Sequence, residues 1–183
     1  RHFRKLADAS GDRPLRFLQS DDGRDVLPPP DAEETSGETS NFLQLLAAHS
    51  RGICGVAHAI WHANLQSELD ETLDGKSDDA ACRIANQTVW VKPWSQIVHP
   101  CLPSGAGREE AFVLHTLLLH NGLPIELMER LLPLPPGQIM GTLIHLEDSG
   151  LVAPDETVWQ VTPQGYPAVR HFLQAGDYLV DHF

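Results

Sequence analysis

Proline and glycine punctuation leaves the last third of the chain few ways to fold. From Glu109 onward, Asn121-Gly122, the group Pro133, Pro135 and Pro136, then Gly150, then Pro163 and Pro167 cut the apolar pattern into pieces, each one helix or one hairpin long. Proline removes a helical N–H, and glycine supplies the left-handed turn that ends a helix. Glu109 to His120 is apolar on most of its circumference through Phe112, Val113, Leu114, Leu117, Leu118 and Leu119, which predicts a central, buried helix. Pro124 suits the first turn of a second helix, Ile125 to Leu132, with Leu127, Met128, Leu131 and Leu132 expected inward. A third helix runs from about Gly137 to Asp148, with Ile139, Leu143 and Leu146 at i, i+4 and i+7, and Gly150 is placed to end it. Leu151-Val152-Ala153 and Thr157 to Val161 flank Pro154-Asp155-Glu156, a hairpin with a short tip. The last helix begins at about Tyr166 and runs through Val169, Phe172 and Leu173 to Gly176. Helix, helix, helix, hairpin, helix is the order of a winged helix-turn-helix domain, the fold expected of residues 109–183.

The earlier part is less regular. Residues 19–41 combine three prolines and two glycines with many Asp, Glu, Ser and Thr, the composition of an exposed loop. From Asn41 to about Leu73 the pattern is helical. Asn41 or Ser40 can cap Phe42-Leu43-Leu45-Leu46, Gly52 and Gly55 interrupt, and Val56, Ala57, Ile60, Trp61 and Leu65 recur at helical spacing. Two helices joined by a glycine corner follow. Residues 74–81 form a polar turn, Thr88 to Val91 alternate as a short strand, and Pro100, Pro103, Gly105 and Gly107 make a second connector. The fold class is therefore mainly α with a small β-hairpin.

Charge narrows the function. Among 183 residues, 13 Lys and Arg face 25 Asp and Glu, a net charge of −12. Such a surface opposes broad contact with nucleic acid or anionic membrane, because binding phosphates means displacing counterions with basic groups. The distribution is uneven. Six basic residues lie in 1–27, whereas 109–183 carries only Arg130 and Arg170 against ten acids. The module whose fold most suggests DNA is the most acidic part. With 42% apolar residues the chain can build a core and bury about 70% of its unfolded surface. Cys54, Cys82 and Cys101 are odd in number and lack CxxC spacing, which fits a reducing cytoplasm better than a disulfide framework. No apolar run approaches the ~18 residues of a span, so no membrane insertion is expected. The first residue is Arg1 and nothing there looks like a signal peptide, so the chain is expected to be a piece of a longer protein.

Leu45 to Leu65, LLAAHSRGICGVAHAIWHANL, resembles the end of the helical lid of AAA+ and related STAND-type ATPases. There a segment S-x-G-N-P-G-x-A-x-x-x-W sits where the sensor-2 element approaches the nucleotide. Ser50, Gly52, Gly55, Ala57 and Trp61 match, Ile53 and Cys54 replace Asn-Pro, and Gly55 stands where the origin-recognition branch has its sensor arginine. The winged helix that follows has the order found in origin-recognition-like and STAND ATPases. The resemblance implies a helical lid-like domain over 28–85, entered by the acidic loop, a Trp/Pro-rich connector over 86–108 and the winged helix over 109–183, behind an N-terminal segment 1–27 of uncertain structure. It marks Arg51, Gly52 and Gly55 as the corner facing a nucleotide. ATP and Mg would belong to a full-length protein whose Walker motifs lie upstream of residue 1, with no cofactor in this fragment. No GxxxxGK[ST] occurs here, and Asp70 to Ser77, its nearest approach, has Asp at the first glycine position and follows a helix where a P-loop follows a strand.

Two uses of the winged helix are open. In a DNA reader the third helix enters the major groove, and its outward residues are expected near Gln138, Gly141, Thr142, His145 and Asp148. Base and phosphate contacts favour Arg, Lys, Asn and Gln, yet this face offers one Gln and one Thr, and the hairpin tip carries Asp155 and Glu156. DNA is thus unfavoured, and protein docking or contact with the protein's own ATPase core is expected, with Gln138, Thr142, His145 and Trp159 as interaction residues. The alternative is a winged-helix DNA-binding transcription regulator. His58 and His62 have the i, i+4 spacing of zinc ligands but lack the Glu of HExxH, and are expected to be surface or semi-buried partners of the Trp61 helix. Cys54 near His49, and Cys101 beside His99, give no catalytic arrangement. Trp61 is expected in a core, and Trp90 or Trp94 is expected to pack the connector onto the winged helix.

Overall fold

The computed structural model describes residues 15–27, 40–66 and 88–178. It is mainly α with a small β component, six α-helices and five short strands among the described residues. The chain divides into two compact units, Arg1–Gly52 with Ile60–Ile97, and Ile53–Ala59 with Val98–Phe183.

The first unit is built on a three-stranded sheet that sequence periodicity hides. Strand β1 (Arg16–Gln19) pairs in parallel with β3 (Thr88–Val91), and β2 (Leu65–Gln66) pairs antiparallel with the other edge of β3. Only the β3 strand is visible in the alternation of the sequence. β1 is four residues long and has no alternating neighbours, and its partner is remote in sequence. Part of the expected exposed loop is also structured. The chain turns at Gly23, the Val26 N–H donates to the Phe17 carbonyl at 2.8 Å, and Val26 and Leu27 are buried.

Helix α1 spans Phe42–Ser50 and α2 spans Cys54–Ala63. Ser40 supplies the side-chain acceptor at the start of α1, its Oγ taking the Phe42 N–H at 3.1 Å, while its hydroxyl donates to Gln19 Oε1. The corner after α1 uses two left-handed residues, Arg51 at φ 50° and Gly52 at φ 80°. The helix expected to reach Leu73 ends at Ala63. Asn64, buried, donates from Nδ2 to the Ile60 carbonyl at 2.7 Å and accepts the Lys92 N–H on its own carbonyl at 3.1 Å, which turns the chain out of α2 and into β2. The polar turn 74–81 and the Asp70–Ser77 segment lie outside the described residues.

An aromatic cluster fills this unit. Trp61, 4% exposed, lies 5.3 Å from the Phe17 ring and 6.0 Å from that of Phe42, while Trp94, in a short 3₁₀ turn (Trp94–Gln96), is 5.7 Å from Phe42. Such tilted and edge-to-face pairs add about 0.5–1.5 kcal/mol each beyond area burial. Trp61 is core as expected. The ring partners of Trp94 include Phe42 and His49 of α1.

The second unit has the element order read from the punctuation: α3 (Arg108–His120), α4 (Ile125–Leu131), α5 (Pro136–Asp148), β4 (Val152–Asp155), β5 (Val158–Val161) and α6 (Tyr166–Ala175). Its core joins Val113, Leu114 and Leu117 of α3 to Met128, Ile139, Leu143, Leu146, Val169 and Leu173, all nearly solvent-free. Each such side chain contributes about 1.5–3 kcal/mol of transfer free energy. Helix α3 is central, touching α5, β5 and α6. Its start carries Glu109 and Glu110 at the positive end of the helix dipole, and Glu110 accepts the Gly107 N–H at 2.7 Å. It ends through Asn121 at φ 53° and Gly122 at φ 102°. Glycine is favoured at 122 by the positive φ, and a Cβ there would crowd the Trp159 carbonyl oxygen at 3.2 Å.

Three details differ from the sequence reading. Leu127 and Leu131, expected inward on α4, are 40% and 55% exposed, because a seven-residue helix turned inward through Met128 leaves the opposite side in solvent. The hairpin tip is Glu156-Thr157, with Glu156 left-handed at φ 52°, while Pro154 and Asp155 belong to β4. Leu123 also pairs with the hairpin, exchanging two backbone hydrogen bonds of 2.9 Å with Trp159. Thr162 then ties the hairpin to α6, its Oγ1 donating to the Gly150 carbonyl at 2.7 Å and accepting the Gly165 N–H at 3.0 Å.

Candidate functional site

The sequence marks two places, the glycine corner and the third helix of the second unit. At the corner, Arg51 caps α1 in left-handed conformation, Gly52 follows, and Gly55 lies in the first turn of α2, all three exposed. A Cβ at Gly52 or Gly55 would meet nothing within 4 Å, so neither glycine is held by close packing; the φ of 80° is what calls for glycine at 52. His58 and His62 on α2 are exposed, as are Cys54 and Cys101. Among the described residues no group of three or more His, Cys, Asp or Glu is arranged to hold a metal ion. His49 is set apart by its surroundings. Burial against Trp94, ring to ring at 5.6 Å, lowers its pKa below the ordinary 6.5.

Helix α5 carries three of the four expected interaction residues, and the structure separates them. His145 is exposed and Gln138 half-buried, but Thr142 is only 5% exposed and belongs to the inner side of the helix. The phase explains it. Ile139, Leu143 and Leu146 fix the inward direction, and at 100° per residue Thr142 falls beside Ile139 and Leu146. Trp159 is half-buried in β5, with its backbone engaged by Leu123.

The same phase turns outward a set of residues that a search for DNA-reading side chains passes over. Met140 and Ile144 are 39% and 45% exposed, and Gly137 and Gly141 line the same side. A Cβ at either glycine would meet nothing within 4 Å. Glu147 and Asp148 stand exposed at the C-terminal end of this face, and α5 contains no Lys or Arg. The signal was present in the sequence, since fixing Ile139, Leu143 and Leu146 as inward fixes Met140 and Ile144 as outward. Among the described residues no helix is long and apolar enough to cross a membrane.

Compared with protein-family models, with curated proteins and with solved structures, the chain matches none of them. Its function is therefore argued from its own residues and geometry.

Proposed function

We propose that residues 109–183 are a winged helix that docks protein rather than reading DNA, within a regulatory or interaction region of a cytoplasmic P-loop ATPase. The observation that carries the docking reading is the outward face of α5. Met140 and Ile144 occupy the positions that would meet base edges, with Gly137 and Gly141 beside them, and the charges that α5 itself carries are the carboxylates of Glu147 and Asp148. An apolar, acidic helix face gains nothing from a phosphate backbone and is repelled by it, whereas apolar side chains with polar neighbours are the usual content of a protein interface.

The winged-helix assignment is supported by the element order and by Leu123. Its two hydrogen bonds to Trp159 add a third, one-residue strand beside the hairpin, joining the α3–α4 connection to the wing. Glu156 at the wing tip and Asp155 at the end of β4 make that end of the wing acidic as well. The ATPase context is supported by Ser50, Gly52, Gly55, Ala57 and Trp61 in lid-like spacing. The mixed sheet of the first unit goes beyond what an all-helical lid requires.

Fluorescence anisotropy with random duplex DNA at low salt tests the docking reading. No binding up to about 100 micromolar is expected, against the 10⁻⁴–10⁻⁶ M of ordinary non-specific DNA binders. Micromolar binding lost on Met140→Glu or Ile144→Glu substitution would overturn it. The coding sequence upstream of Arg1 tests the ATPase context, where a Walker A segment is expected.

A further inference from the structure

Building on that docking reading, we infer that the outward face of α5 receives a cationic amphipathic helix of a partner protein, whose apolar stripe covers Met140 and Ile144 while its backbone passes close over Gly137 and Gly141. Two independent features select this occupant. The first is shape. Met140 and Ile144 lie one turn apart on the exposed side, and beside them the two glycines leave the helix backbone uncovered, with open space where a Cβ would stand. A helix laid along such a face gains apolar contact at short interaxial distance, as in helix-in-groove recognition.

The second feature is charge. Glu147 and Asp148 sit in the last turn of α5, where the helix dipole is already negative, so they oppose the stability of their own helix. From residue 109 on, Arg170 is buried and Arg130 is exposed, against exposed Glu126, Glu129, Asp155 and Glu156 in addition to the α5 pair. Carboxylates kept at the unfavourable end of an apolar helix face match a partner bearing Lys or Arg there. The same field argues against anionic lipid, and the net charge of −12 opposes the close approach of a second copy of this chain. Complementary charge would orient the incoming helix, and the apolar pair would supply most of the contact.

Selection of phage-displayed peptides of about 16 residues, long enough for four helical turns, on the whole chain tests this. Enriched sequences are expected to carry apolar residues at i, i+3/4 and i+7 flanked by Lys and Arg. Their affinity should fall about tenfold or more on Ile144→Ser and on Gly141→Leu substitution, and weaken several-fold between about 50 and 500 mM salt as screening shortens the reach of the carboxylates. Gly141→Leu guards against misfolding, since it places a good helix former where the chain leaves room, and circular dichroism should show the native fold retained. Neutral or acidic peptides, or no enrichment, would overturn the inference. Peptides that bind the Gly141→Leu form as well as the parent would also sink the α5 assignment but leave protein docking in place. Duplex DNA binding abolished by Gly141→Leu would remove both readings together.

Discussion

The two units reach stability by different means. The second is helical and organised by neighbours in sequence: α3, α4 and α5 follow one another through short turns, and the inward positions Val113, Leu117, Ile139, Leu143 and Leu146 repeat at helical spacing. The first unit is held by contacts remote in sequence, with β1 beside β3 and the rings of Phe17, Phe42, Trp61 and Trp94 drawn from four separate segments. One region is specified by periodicity and the other by a few large aromatic contacts. The first should therefore depend heavily on single residues, and the second more on the fit of its turns.

The sharpest way to break this contrast is Trp61→Ala. Removing a nearly solvent-free indole from between Phe17 and Phe42 should cost about 3–5 kcal/mol, read by denaturant melts and by faster amide hydrogen exchange in β1 and β3. A loss below about 1 kcal/mol would mean that the aromatic cluster does not organise the unit. In the second unit the corresponding weak point is a turn. Gly165→Ala would put a Cβ 2.8 Å from the Leu151 Cα and from Thr162 Oγ1, forcing backbone to move where Thr162 joins the hairpin to α6. A destabilisation of about 1–3 kcal/mol is expected, and the Thr162 hydrogen bonds should lose exchange protection.

Smaller effects sharpen the comparison. Gly141→Ala, on the exposed side of α5 with room for the added methyl, should raise the stability of the second unit by up to about 1 kcal/mol. A neutral or destabilising result would show that the backbone at 141 is not plain helix in solution. His49 gives the smallest effect and confines it to the first unit. Burial against Trp94 lowers its pKa, so the folded state holds its proton less tightly than the unfolded chain. Its contribution is present above the ordinary value of 6.5 and fades as pH falls through and below it. Melts followed by tryptophan fluorescence at about pH 7.5 and 5.5 should show a loss of stability that His49→Gln diminishes. An unchanged difference in the variant would place the pH response elsewhere.

Much of the second unit was legible before any coordinates. Pro124, Pro136 and Gly150 fall where helices start or stop because each residue acts through its own backbone geometry, a local property. The facing of short or ambiguous segments there is not fixed by local pattern. Residue type alone points Leu127 and Leu131 inward, and the groove-facing reading of the third helix points Thr142 outward. The packing of Met128, Ile139 and Leu146 decided both the other way. The outward pair Met140 and Ile144, which carries the proposed site, followed from the same phase but looks like ordinary core composition when the sequence is scanned by residue type.

The sequence alone determined the element order of residues 109–178, the acidity of that module and the aromatic weight of the first unit, because punctuation, charge and composition act locally or by simple summation. Tertiary structure decided that Arg16–Gln19 is a strand, that α2 stops at Asn64 and that Trp94 belongs with Phe42 and His49. Each of these depends on a partner distant in the chain, and a four-residue strand or a lone tryptophan carries no periodic signal of what it will meet. The face of α5 lies between the two cases. Its residues were present in the sequence, but only the closing of the core around Ile139, Leu143 and Leu146 determined which of them meet solvent.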